Sequence, residues 1–349
     1  MRVLTTLPQR KLRDAAAAAA TAETTGFDGI VTMENKHDPF LSLAAAATVT
    51  QRVELTTGIA ISFNRSPMVA SNIAWDLYES SGGRFALGLG TQIRAHNEKR
   101  FSVPWSAPAP RMREYLQALR AIWRCWDQGE KLRYEGEHYT FTLMIPNFMP
   151  ENTVPGIPRV TLAAVGPRML TLAGEEADGV QLHPFCTRKY ISEMVLPCLE
   201  KGFAVNGRRR EDFEIMGGGF IATGPDDAAV QQMADWVRYR IAFYGSTPAY
   251  YPVLEAHGLE DLGLKLNRMT KDGQWDKIAA EVPDDLLHAC AAIGRHDEIA
   301  AMIKARFGGV SDTVFASSSS EVQSDLPPDV IQDIQQIPTA FRGGKAAAT

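Results

Sequence analysis

The chain has 349 residues, 45% of them hydrophobic, which is enough to bury a large core and fits one barrel-sized α/β domain better than a string of small modules. Its net charge of -5 and pI near 5.9 offer no basic footprint for nucleic acid or an anionic membrane, so neither is expected as a partner. Four cysteines without zinc-type spacing, and an N-terminal apolar run cut off by Pro8-Gln9-Arg10-Lys11, read as a reduced protein of the cytoplasm.

In chain order one grammar repeats. A strand is expected over Val3 to Leu7, then an alanine-rich helix from Lys11 to Thr25 that Gly26 stops. Phe27-Asp28-Gly29 feeds a strand from Ile30 to Met33. Asp38-Pro39 opens a second helix running to Val49, and Val53 to Ile61 is the next strand. Pro67 opens a third helix, carrying Trp75 and Tyr78, before the strand Phe85 to Leu89 closes on Gly90-Thr91. Residues 91–110 form a long connection, Arg111 to Trp126 is amphipathic with aromatics at helical spacing, and Lys131 to Leu143 alternates like an exposed strand or hairpin.

Arg159 to Gln181 is the clearest unit. Arg159 to Val165 has the length and apolar content of a buried strand, Gly166-Pro167 opens a helix ending at Glu175-Glu176, and Ala177-Asp178-Gly179 turns into Val180 to Leu182. The free amides after Val165 make an anion site that needs no charged side chain. A helix from Arg188 to Asn206, a strand from Phe213 to Thr223 containing Gly217-Gly218-Gly219, and a helix from Pro225 follow. Tyr244 to Asp276 is irregular, Asp284 to Ala292 and Arg295 to Phe307 are helices, and Val310 to Ala316 is the last strand.

Eight strands with helices between them predict a (β/α)8 TIM barrel over residues 1–320, with insertions near 91–110, 130–158 and 244–282. Residues 321–349 are expected to be a C-terminal extension, partly disordered. Ser317 to Ser320 and Gly343 to Thr349 are expected to be mobile. Function in such a barrel sits at the C-terminal strand ends. Those ends hold small residues and no His, Asp and Glu cluster for metals, so a metal centre is not expected and a broad slot for a planar ring is. A phosphate-bearing flavin or deazaflavin would use both the slot and the amides after Val165.

The chain resembles the luciferase-like monooxygenase superfamily, and most closely its coenzyme F-420-dependent oxidoreductase branch, over nearly its whole length to Ala316. The carriers are Gly26-Phe27-Asp28-Gly29-Ile30, Thr57-Gly58-Ile59, Arg84 to Thr91, Ala163-Ala164-Val165-Gly166-Pro167 and Ala177-Asp178-Gly179. The resemblance implies a bacterial-luciferase-like barrel. In it Gly58 and Ile59 form a bulge, often with a cis bond, behind the cofactor's middle ring; Ala164, Val165, Gly166 and Pro167 serve the phosphate; and Gly90, Thr91 and His183 edge the cofactor. Relatives commonly place an acid followed by His at the end of the second strand, where this chain has Glu34-Asn35 with His37 close behind. Asn35 can position a carbonyl but cannot move a proton, so proton transfer falls to Glu34 or His37. Arg65 is expected to face an anionic substrate or the cofactor tail.

These readings lead to hydride transfer between coenzyme F-420 and a small hydrophobic organic substrate. The alternatives are a monooxygenase using reduced FMN and a non-catalytic flavin-binding protein. The aromatic helices Pro67 to Ser81 and Arg111 to Trp126 suggest a homodimer or other homo-oligomer.

Overall fold

Short runs rich in aliphatic and threonine residues make eight parallel strands, and the computed structural model, which describes residues 1–317 and 322–343, closes them into a barrel. The strands are β1 (Arg2–Thr6), β2 (Gly29–Thr32), β3 (Glu54–Thr57), β4 (Phe85–Gly90), β5 (Arg159–Ala164), β6 (Gly179–Leu182), β7 (Glu214–Gly217) and β8 (Thr313–Phe315). Each pairs in parallel with the next, and β8 closes on β1 with Arg2 opposite Thr313. This is the expected (β/α)8 TIM barrel. Helices cover the outside; in Leu12–Thr25 the inward face is Ala15, Ala19 and Ala22, small enough to let the helix lie close to the sheet.

The echo between Phe27-Asp28-Gly29 and Ala177-Asp178-Gly179 is a repeated anchor. Asp28 donates its N–H to the Val3 carbonyl at 2.9 Å and accepts the Val3 N–H on Oδ2 at 2.7 Å. Asp178 brackets Val160 in the same way, at 2.7 and 2.7 Å. A third copy, at Asp312, brackets Ile215 at 2.8 and 2.8 Å. In all three the aspartate carbonyl then accepts from the first residue of the following strand: Glu54 at 3.0 Å, Glu214 at 3.2 Å and Arg2 at 2.9 Å.

Those first residues, with Arg159, form a closed ring of alternating charge across the barrel floor. Arg2 pairs with Glu54 at 3.2 Å and Glu214 at 2.7 Å, and Arg159 pairs with Glu54 at 3.1 Å and again with Glu214. All four come from odd-numbered strands, as one layer of a barrel interior requires. The C-terminal extension lies beneath them. Its helix Pro328–Gln335 reaches Asp28 through Gln335 at 3.0 Å, Asp312 accepts the N–H groups of Ala340 and Phe341 at 3.1 and 3.0 Å, and the Phe341 ring lies 5.0 Å from the Arg159 guanidinium.

Several elements differ from expectation for local reasons. The strand Val53 to Ile61 divides at a cis Gly58-Ile59 peptide into β3 and Ala60–Ile61. The strand Phe213 to Thr223 divides because Gly217 and Gly218 take φ of 75° and 93°, outside extended geometry. Its second half, Phe220–Gly224, pairs in parallel with Ala291–Arg295, so the helix expected over Asp284 to Ala292 stops at Cys290. Residues 244–276 are not irregular but carry the helices Tyr251–Glu255 and Glu260–Lys271; Pro252 stands in the first turn, where its missing N–H costs nothing. The connection after β4 likewise holds a helix, Arg94–Arg100. The helix expected from Asp38 starts at Leu41, with Asp38 Oδ1 accepting from Phe40 and Leu41 at 2.8 and 3.3 Å. Ser317, expected to be mobile, bonds Thr5 and Thr6 at 3.1 and 2.8 Å. Residues 318–320 and 344–349 of the segments expected to be mobile lie outside the described residues.

The aromatic helices also change meaning. Trp75, Tyr115, Trp123 and Trp126 are buried, Trp75 and Trp126 meet edge to face at 5.5 Å, and residues 151–155 cover them through Trp75 to the Glu151 carbonyl and Tyr78 to the Pro155 carbonyl, both at 3.0 Å. They pack under the chain's own insertion. No helix among the described residues is long and apolar enough to cross a membrane.

The floor predicts an acid response. Burial pushes the Glu214 carboxyl up, but Arg2 and Arg159 outweigh it, aided by the Thr313 hydroxyl, and hold the pKa near 2 against an ordinary 4.5. A depressed folded-state pKa contributes stability that is complete above the ordinary value and lost as pH falls through the folded one. Glu214→Gln should therefore cost about 3–5 kcal/mol at neutral pH, since it leaves two arginines short of a partner. In urea titrations the gap between wild type and variant should narrow from pH 4.5 towards 2; a gap constant with pH would refute this account of the ring.

Candidate active site

At the end of β3 the chain must turn over a crowded interior. Gln181 on β6 is buried and donates to the Thr57 carbonyl at 2.9 Å and the Thr161 hydroxyl at 2.8 Å, while Thr57 Oγ1 donates to the Gly88 carbonyl at 2.7 Å. A Cβ on Gly88 would stand 1.8 Å from the Thr57 carbonyl oxygen, so only glycine admits this approach. The cis Gly58-Ile59 peptide follows, and Ala60–Ile61 rejoins β4 opposite Leu89 and Gly90. Ile59 lies half-exposed across Gly90: a Cβ there would meet its side chain at 2.8 Å. Gly58, Ile59 and Gly90 thus form one constellation, an apolar ridge at the barrel mouth. Thr91 extends it, its carbonyl fixed by buried Asn97 at 2.9 Å.

Beside this ridge, Glu34 is fully engaged. Its N–H donates to the Ile59 carbonyl at 3.1 Å, and its carboxylate accepts from Ile61 N–H at 2.7 Å, Asn64 Nδ2 at 3.0 Å and Arg65 Nη1 at 2.7 Å. Arg65 bridges onward to Asp38 at 3.0 Å and lies 5.2 Å from the Phe40 ring centre. Burial lowers the Arg65 pKa, but the hydrogen bond and charge of Glu34, then of Asp38, leave it raised. This is a brace for the segment after the ridge. Asn35 and His37 are exposed; the Asn35 carbonyl accepts from Arg100 and its Oδ1 from the Lys36 N–H.

The third element is the end of β5. Tyr190 donates to the Val165 carbonyl at 2.9 Å, fixing the strand end after Ala164. Gly166 then caps helix Pro167–Glu176 with φ -81° and ψ 160°, and Leu170 is the residue whose N–H returns to the Gly166 carbonyl, at 3.1 Å. The amides of Gly166, Arg168 and Met169 belong to the first turn, where a helix leaves its N–H groups without intrahelical acceptors. A Cβ on Gly166 would meet nothing within 4 Å. That open ground before a ring of amides fits a phosphate.

His183 completes the mouth at the end of β6. Its Nδ1 accepts from the Phe185 N–H at 3.0 Å, which places the ring proton on Nε2. Tyr244 and Tyr250 stand 4.2 and 4.6 Å away, centre to centre. Burial, then the charge of Arg240, lower its pKa from 6.5 to about 3, so the imidazole is a neutral donor at physiological pH. Sequence reasoning named His183 but not Gln181, Tyr190 or Arg240, whose roles arise only when distant segments meet. Tyr244 and Tyr250 are thus at His183, whereas Phe148 is exposed in the insertion after the hairpin.

The family model described as luciferase-like monooxygenase matches residues 2–312. The chain is 48% identical over 314 residues to an uncharacterised protein of Mycobacterium tuberculosis, covering 89% of this chain and 92% of that one. It is 27% identical over 341 residues to the 5,10-methylenetetrahydromethanopterin reductase of Archaeoglobus fulgidus, covering 95% of each. Among solved structures, the coenzyme F-420-dependent tetrahydromethanopterin reductase of Methanopyrus kandleri superposes with a TM-score of 0.74 at 19% identity, covering 97% of each chain.

Because Gly166 has ordinary backbone angles and open space, a side chain there tests the amide ring without disturbing the protein. Gly166→Val should weaken binding of a phosphate-bearing flavin or deazaflavin by about 2–3 kcal/mol, the scale of hydrogen bonds to a charged group. Thermal unfolding should stay near that of the wild type. Unchanged affinity in the folded variant would remove the phosphate from this site.

Proposed function

The chain belongs to the luciferase-like monooxygenase family, and within it we propose an oxidoreductase that moves a hydride between coenzyme F-420 and a small organic substrate. The observation that carries this reading is the state of Glu34. Oxygen insertion on a reduced flavin needs a side chain to manage the peroxide proton. The family's histidine beside the ridge is replaced by Asn35, and both oxygens of the neighbouring carboxylate are already held by three donors. The resemblance to a relative named as a methylenetetrahydromethanopterin reductase supports the same choice.

A deazaflavin, when bound, supplies two-electron hydride chemistry without activating oxygen. The protein's part is positioning. Gly58 and Ile59 would back the ring, Gly90 and Thr91 would border it, and the amides from Gly166 to Met169 would hold the phosphate. His183 offers Nε2–H, a neutral donor whose tautomer is fixed, to the ring edge. Asn35 would orient the substrate's carbonyl or hydroxyl, while Glu34 acts through Arg65 and Asn64 on the ridge rather than on the reacting atoms. His37, exposed and close behind Asn35, remains the proton carrier of this scheme.

Absorbance titrations should show tighter binding of F-420 than of FMN, and reduced F-420 should be oxidised only when an organic acceptor is supplied. Stoichiometric oxygen uptake with reduced FMN and a hydroxylated product would overturn the proposal in favour of a monooxygenase. Asn35→Ala should lower turnover by about tenfold or more, as loss of an aligned donor does, with a smaller effect on cofactor affinity. The opposite pattern would reduce Asn35 to holding the ring.

A further inference from the structure

Arg65, the arginine expected to meet an anion, is answered by Glu34 and Asp38. Another arginine at the mouth is not. Helix Asp227–Gly245 carries Arg240 one turn before Tyr244, and its guanidinium lies against the rings of Trp236, Phe243 and Tyr244 at 5.5, 5.2 and 4.8 Å. Its one hydrogen bond among the described residues runs from Nη2 to the Tyr244 hydroxyl, at 2.5 Å. Nε is buried without an acceptor, and among the described residues no carboxylate pairs with this side chain. Of five N–H donors, four are therefore without a partner among the described residues.

Ring faces attract a cation but cannot neutralise it, and a half-buried cation without a counter-charge carries a desolvation cost that an anion in the same pocket would relieve. Tyr244 stands edge to face against His183, Tyr250 packs on both at 4.6 and 5.7 Å, and His183 is the β6 end of the proposed slot. The field of Arg240 reaches that end of the slot, since its charge is felt at the His183 imidazole. A planar guanidinium with open N–H groups above aromatic rings matches a carboxylate on an apolar body.

We propose that Arg240 is the anion-recognition residue of the substrate pocket, and that the substrate is an organic acid whose carboxylate sits on this guanidinium with its apolar part against Tyr244, Tyr250 and His183. The proposal rests on the reading of the barrel mouth as a redox site and narrows its substrate class.

The test uses the full chain loaded with oxidised F-420 and two probes of one shape, benzoate and benzamide, read by the absorbance of the bound cofactor. Benzoate should bind at least about tenfold more tightly than benzamide. Arg240→Met should abolish that preference, and Arg240→Lys, which keeps the charge but not the fork, should retain part of it. Thermal unfolding of each variant reports folding separately. F-420 affinity is measured first; a chain that binds no F-420 fails the redox reading, and the probe comparison is then read from tryptophan fluorescence of the same protein. Equal affinity for the two probes, no binding of benzoate, or a preference that survives in a folded Arg240→Met protein would overturn the proposal.

Discussion

The alternating ring of Arg2, Glu54, Arg159 and Glu214 sets the register from which everything above it follows. A buried ion network contributes little net stability compared with a well-packed apolar floor, because desolvation offsets most of the attraction. Its effect is on alternatives. Side chains along a strand alternate between faces, so with Arg159 turned inward, Thr161 and Ala163 are inward too, and with Gly179 inward so are Gln181 and His183. A slip of one residue in any odd strand would withdraw a charge from the ring and leave its neighbours unpaired. The Asp28, Asp178 and Asp312 anchors lock the same register from the outside, each through paired bonds to a neighbouring strand.

From that floor the middle of the barrel becomes polar in a specific way. Gln181 reaches across to the Thr57 carbonyl and to the hydroxyl of Thr161, which stands one inward step above Arg159. The same amide fills the space that side chains at positions 58 and 88 would need. The ridge at Gly58-Ile59 is thus the upper surface of a packed column: charge ring, amide and hydroxyl layer, then backbone.

Legibility in the sequence followed the range of the interaction. The barrel, the Gly166-Pro167 helix start and the two Asp-Gly turns are written in short stretches and could be read there. The third anchor escaped because Thr313 follows Asp312 where glycine follows the other two, and Ala291–Arg295 escaped because a short apolar strand directly after a helix continues its apolar run. The helices Tyr251–Glu255 and Glu260–Lys271 within 244–276 escaped as well. Charged side chains were the least legible. Arg65 and Arg240 look alike in sequence, and what separates them is that Glu34 and Asp38 arrive beside one from another strand end while aromatic rings arrive beside the other.

That difference gives the barrel mouth an electrical direction. On the β2 side two carboxylates face one guanidinium, and the carboxylate nearest the ridge has its oxygens occupied. On the β6 side the histidine is neutral and Arg240 is unanswered. A planar ring lying between them would experience positive potential along the edge near His183 and Tyr244, and hydride transfer to or from a ring is sensitive to such fixed charge because electron density moves across it as the bond forms. The histidine contributes by staying neutral: a second cation beside Arg240 would be repelled, which is why burial and the arginine act in the same direction on its proton. The β6 end of the mouth therefore carries one positive group and one neutral donor, both packed against the Tyr244 ring.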